Sequence, residues 1–215
     1  MLVAGAGMSQ AMEEILPGLW HWTAFRDTIG ADVHSYWHEP SGTVLDPMVP
    51  PEGLEAFGGG RVERVVLTNR HHYRHADDYR ERFGCAVLAH EAGLHDLPDH
   101  VEGFAFGDEL APGVRALEVG VLTPEETAIH FDGGALAFAD CVIRGPQGEL
   151  AFVPDRLLGD DPDAIRAGLR QAFAKLAREQ EFDALLMAHG EPMRTSGRSA
   201  LLTFAEAPTA GAPPG

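Results

Sequence analysis

Apolar and polar positions along this chain fall into short runs punctuated by Gly, Pro and Asp, with two clear helical stretches between them. "ADVHSYWHEPSGTVLDP" predicts extended segments at 33–37 and 43–45 joined by a Pro-Ser-Gly turn, a β-hairpin. "RVERVVLTN" is a near-continuous apolar run, as expected of a strand buried on both faces. A helix is predicted from about His75, with Ala76, Tyr79 and Phe83 as its apolar stripe and Gly84 as its stop. "CAVLAH" predicts the next strand. "GVRALEVG", "ETAIHF", "GALAFADCVI" and "GELAFVPD" then read as antiparallel strands separated by Gly and Asp turns.

The best-defined helix lies in "DDPDAIRAGLRQAFAKLARE". Asp161 suits the cap, Pro162 the first helical position and Asp163 the positive end of the dipole. Ile165, Leu169, Ala172, Phe173 and Leu176 share one face. "ALLMAHG" predicts a last buried strand and "SGRSALLTF" a closing helix. This order predicts packed sheets flanked by helices, an α/β (α+β) architecture with no domain linker.

Composition narrows the functions that fit. The 215 residues can bury about 70% of their unfolded surface. No apolar stretch reaches the ~18 residues of a membrane span. The formal charge of -17 would repel a phosphate backbone or an anionic bilayer, so neither nucleic acid nor membrane is an expected partner. Cys85 and Cys141 form no CxxC pair, which argues against a thiolate zinc cluster or a disulfide framework. The first residues lack the basic and apolar segments of a secretory leader, so a cytoplasmic location is the default expectation. Small residues at 1–12 and the Pro/Gly/Ala-rich 206–215 are expected to be frayed ends around a domain spanning 13–205.

The chemistry concentrates in "TNRHHYRHADDY", directly after a strand, and in two later strand ends, "FADCV" and "AHGEP". Together with "PGLWHW", "GTVLDP", "RERFGCAVLAHE" and "GALAFAD", in this order and spacing, these segments resemble the metallo-β-lactamase superfamily from about Glu13 to Phe204. The resemblance implies a four-layer αβ/βα sandwich with a metal site at strand ends. It also implies a degenerate site. Laid without gaps on the family's H-x-H-x-D-H motif, Asn69, Tyr73 and Arg74 replace ligands and His71 matches one. Val121 stands near the place of a further His, while Asp140 and His189 match the remaining ligands.

Two imidazoles and a carboxylate are a recognised catalytic zinc set, and also the facial triad of an iron(II) site. The expectation is therefore a hydrolase-like protein with at most one divalent metal, zinc first and iron second, on His71, Asp140 and His189. Tyr73 and Arg74 would face a small-molecule substrate as a hydrogen-bond donor and an anion contact, a pair that suits an anionic ligand. Arg74 also brings a permanent charge to a place where a second cation would sit. In the family's arrangement the two histidines serve different metals, so a single ion would sit between those positions or recruit a further ligand, for which Asn69, His75 and His72 are nearest in sequence. Otherwise His72 and His75 are read as solvent-facing or structural, Asp46 as a turn support and Cys141 as a core thiol. The alternative is a metal-free, non-catalytic sandwich that binds a small anion or a partner.

Overall fold

The computed structural model describes residues 9–207, so the expectations for the chain ends at 1–8 and 208–215 lie outside the described residues. Seven strands form the first sheet in sequence order: β1 (Glu13–Leu16), β2 (Leu19–Arg26), β3 (Ala31–His38), β4 (Thr43–Leu45), β5 (Arg64–Leu67), β6 (Ala86–His90) and β7 (Glu102–Phe104). β1 to β4 are antiparallel, and β4 to β7 run parallel. Helix α1 (Ala76–Phe83) makes the crossover between β5 and β6 and stops at Gly84, whose φ of 66° suits glycine.

The second sheet contains β8 (Glu109–Ala111), β9 (Val114–Glu118), β10 (Thr127–Phe131), β11 (Ala135–Phe138) and, after a small hairpin of β12 (Ile143–Arg144) and β13 (Leu150–Ala151), β14 (Ala184–Met187). β14 joins parallel to β11 because the long helix α2 (Pro162–Glu179) carries the chain back across the sheet. Asp161 caps α2 by accepting from the Ala164 amide at 3.0 Å. α3 (Gly197–Glu206) closes the fold beside α2.

Strand periodicity explains the layers. In β11, Ala135 and Ala137 face the first sheet while Leu136 and Phe138 face α2 and α3; in β14, Ala184 and Leu186 oppose Leu185 and Met187 in the same way. In β5, Val66 points into the inter-sheet core and Val65 and Leu67 point toward α1. Strands covered on both faces read as unbroken apolar runs, and here they make the predicted four-layer αβ/βα sandwich. Trp22, Trp37, Phe57 and Tyr79 fill the space between the first sheet and α1. On the other side Leu169, Phe173, Leu176 and Leu201 pack against the second sheet.

Four local expectations are corrected. β1 and β2 were not foreseen in "EEILPGLWHWTAFR". The segment after His90, to which the sequence pattern assigns no strand, contains β7 and β8. "GALAFADCVI" breaks after Phe138, where the chain turns at Asp140. "GELAFVPD" contributes only the two residues of β13, paired with β12 away from the main sheets. Among the described residues no helix is long and apolar enough to cross a membrane.

Candidate metal centre

The parallel strands β4, β5, β11 and β14 all end at one edge of the sandwich, where residues one or two positions past them, Asp46, Thr68 and Asn69, Asp140, and His189, converge. Thr68 donates from its amide (2.9 Å) and hydroxyl (2.6 Å) to the Asp46 carboxylate, tying the ends of β4 and β5 together. Asp46 adopts a φ of 48°, an unusual conformation for a non-glycine residue, held by these bonds.

After Asn69 the chain makes a single 3-10 turn, Arg70–His72, capped by the Asn69 side chain, which accepts from the His71 amide at 3.0 Å. Three residues per turn place Asn69 and His72 on the same side, and both reach Asp140. Asn69 Nδ2 donates to Asp140 Oδ2 at 3.0 Å. His72 Nδ1 lies 3.0 Å from Asp46 Oδ2, and its Nε2 lies 3.3 Å from Asp140 Oδ1. His189 Nε2 approaches the same Asp140 oxygen at 3.0 Å. One ligand atom from each of His72, Asp140 and His189 thus falls within 4.8 Å of the others.

The structure therefore brings together Asp140 and His189, as the sequence reading anticipated, but with His72 in place of His71. His71 is exposed one residue earlier on the outside of the turn. The gap-free register assumes extended spacing through the motif, whereas the 3-10 turn shifts the inward-facing position by one. Tyr73 also departs from its expected place. Its hydroxyl donates to Asp77 at 2.6 Å and lies 3.1 Å from His100, and its ring packs against the α1 side of the first sheet. Arg74 does turn back to the site, at a φ of 45°, and gives Nη1 to the carbonyls of Asp46 (2.7 Å) and His34 (3.1 Å). Its Nε and Nη2 are buried without a partner. It therefore buttresses the site floor, a role different from gripping a substrate at the mouth.

The charges are strongly coupled. Burial and the Arg74 charge push the His72 imidazole down, but the carboxylates of Asp46 and Asp140 outweigh them and raise it to about 9. Burial pushes Asp140 up, yet His72 and His189 hold it well below the usual carboxylate range. Asp46 is likewise raised by burial and lowered on balance by His72, Arg74 and Thr68. Glu126, unforeseen in the sequence, is fully buried behind Asp140. One of its oxygens accepts from the Cys141 amide at 2.7 Å and the other has no partner. Burial and the Asp140 charge push Glu126 up to about 7. Its position as the second residue of "EETAIHF" gave no signal, since an acidic pair before a strand normally marks a solvated turn.

The donor set fits one divalent cation. The Nε2 atoms of His72 and His189 both converge on the buried Oδ1 of Asp140, at 3.3 and 3.0 Å. Two imidazoles and one carboxylate aimed at a common point are a set that holds zinc or iron(II). Two cations do not fit as well, because Asn69 turns its NH2 to Asp140 and spends its oxygen on the His71 amide, and Arg74 adds a permanent positive charge.

A family model described as "Metallo-beta-lactamase superfamily" matches residues 12–207. The chain belongs to that superfamily. Among solved structures, a beta-lactamase domain protein from Burkholderia ambifaria superposes with a TM-score of 0.66 at 15% identity, covering 93% of this chain and 77% of the other. A metallo beta lactamase from Hirschia baltica gives a TM-score of 0.66 at 14% identity, covering 93% and 97%. A protein solved in a di-iron-bound form gives 0.61 at 22% identity, covering 78% and 92%. At these identities the likeness establishes the fold. No curated protein matches the chain.

Proposed function

We propose that this protein is a mononuclear metal-dependent hydrolase of the metallo-β-lactamase fold, with His72, Asp140 and His189 as ligands. The observation that carries the reading is the convergence of the His72 and His189 Nε2 atoms on one oxygen of Asp140, with a ligand atom of each residue within 4.8 Å of the others. The surrounding bonds support the same assignment. Asp46 engages His72 at Nδ1 and so leaves Nε2 inward, and Asn69 engages Asp140 at Oδ2 and so leaves Oδ1 inward. A bound divalent cation supplies a Lewis acid and a coordinated water with a pKa lowered toward ~7. Zinc is the first expectation and iron the second.

Within the chain, His72 must give up its Nε2 proton for a cation to bind, while its remaining Nδ1–H donates to Asp46, which fixes the ring. Arg74 neutralises part of the charge of Asp46 and Asp140 without leaving its backbone acceptors. The test is elemental analysis of protein purified without chelator and reconstituted with zinc or iron(II), followed by hydrolysis assays on lactam, thioester, lactone and phosphodiester substrates. About one equivalent of metal, lost in His72→Ala and kept in His71→Ala, is the expected result. Metal below about a tenth of an equivalent overturns the metal reading, a threshold set against the tight binding typical of such sites.

One observation favours a second reading, a metal-free protein that binds a small anion or a partner. A protonated His72 between Asp46 and Asp140, with Arg74 alongside, balances the buried carboxylates with no ion present. Thermal stabilisation by small carboxylates or phosphates in metal-stripped protein, with no hydrolysis by the reconstituted form, would select it.

A further inference from the structure

Beside the metal centre a cleft of about 490 Å³ opens between the β2–β3 hairpin and the loop joining β12 to β13. His72, Asp140 and His189 do not line it, but it adjoins them through His34, whose amide donates to the Ala188 carbonyl, and through Gly190. Asp32, His34 and Tyr36 alternate along β3 on the face that looks into the sandwich, so the wall passes from apolar core to polar cleft over five residues. Thr23, opposite His34 in the β2 register, continues that wall.

His34 is 4% exposed and stacks on His21 with ring centroids 5.0 Å apart. His34 Nδ1 lies 2.8 Å from His21 Nε2, while His21 Nδ1 is buried with no partner. Burial is the main cause that keeps both rings neutral at pH 7. One proton must sit between them. If His34 donated it, His21 would carry an orphaned N–H at Nδ1; if His21 donates it, the orphan is an acceptor, the less costly defect. His34 Nε2, without a partner among the described residues, then carries a proton and donates into the cleft.

The opposite requirement comes from Asp32. Its carboxylate lines the cleft and has no side-chain hydrogen-bond partner among the described residues; Oδ1 lies buried behind, which leaves Oδ2 as the accessible acceptor. Glu191 adds a second carboxylate to the lining. Arg144 is the cation that lines the cleft, and its Nε and Nη1 already serve the carbonyls of Gly148, Glu191 and Pro192. Such a lining disfavours an anion and offers an acceptor to a cation.

We propose that this cleft binds the part of a ligand that carries an ammonium group near an uncharged oxygen, the ammonium held by Asp32 and the oxygen accepting from His34, which His21 orients. The assignment takes the cleft as the ligand-binding side of the proposed metal site and to that extent rests on that reading. It gives the substrate an amino-alcohol or amino-carbonyl character and makes Asp32 and His34 specificity residues.

Three matched probes test it: 3-amino-1-propanol, 1,3-propanediol and 3-hydroxypropionate, each titrated into the full chain while imidazole 15N resonances of His34 and His21 are followed. The amino alcohol is expected to give saturable shifts at both rings, with at least tenfold weaker binding in Asp32→Asn, and the other two probes none. Equal or tighter binding of 3-hydroxypropionate, no saturation by any probe, or amine affinity within twofold in Asp32→Asn overturns the proposal. Metal content measured on the same samples separates the two readings. Amine binding in metal-free protein leaves the cleft assignment standing without the metal, and a full metal equivalent with no amine binding does the reverse.

Discussion

The two sheets contribute unequally to the candidate metal centre. The first sheet supplies Asp46 and His72, with side chains 5% and 3% exposed; the second supplies Asp140 and His189, at 26% and 25%. The first half is a network centred on Asp46, which Thr68, His72 and Arg74 all bond, with the His72 amide donating to the Asn69 carbonyl. The second half rests on two strand ends and is open to solvent. The contrast teaches that one wall is built for stability and the other for access, so damage to the two should be felt in different measurements.

The largest expected effect is on the closed wall. His72→Ala leaves Asp46 and Asp140 short of a buried counter-charge and should cost about 3 kcal/mol, typical of breaking a buried pair, in denaturant unfolding of metal-free protein. The same variant should lose its metal. Next comes the hinge of the open wall. Gly190 has a φ of 91°, and a Cβ there would lie 2.2 Å from the Arg144 carbonyl oxygen, so Gly190→Ala should cost about 2 kcal/mol and move His189 out of position.

A pH series sharpens the comparison. His72 is raised from 6.5 to about 9 in the metal-free fold, so its contribution to stability is complete below pH 6.5 and is lost as pH rises through 9. Metal-free protein should therefore lose more than about 1 kcal/mol between pH 6.5 and 9.5, measured by urea midpoints. Metal affinity should rise over the same interval, since binding requires His72 to release its proton. His189→Ala, on the exposed wall, should cost less than about 1 kcal/mol yet abolish stoichiometric metal by elemental analysis. His71→Ala should change stability by less than about 0.5 kcal/mol and leave metal content intact.

The sandwich was largely legible in the sequence because its central strands are covered on both faces and therefore show as apolar runs, as in "VVL", "ALAF" and "ALLM". Helix α2 was legible because cap, first-turn proline and apolar stripe agree. β2 escaped because its histidine and tryptophans alternate too weakly with polar residues, although its pairing with β3 spans eight residues. β7 and β8 escaped as three-residue strands whose pairing, and little else, defines them.

At the site, Asp140 and His189 stand directly at strand ends, where sequence and geometry stay in step. His72 stands inside a 3-10 turn, where the side that faces inward depends on the tightness of one turn, and no periodicity in "NRHHYR" records that. Asp32 and Glu126 gain their significance from burial by segments far away in sequence. Such burial has no local signature.

Arg74 gives the centre a property that no exchangeable ion can. Its positive charge is synthesised with the chain and anchored to the carbonyls of Asp46 and His34, so a chelator cannot strip it and a competing cation cannot replace it. Part of the electrostatic support for the site is thus inherited in the gene and independent of the supply of metal.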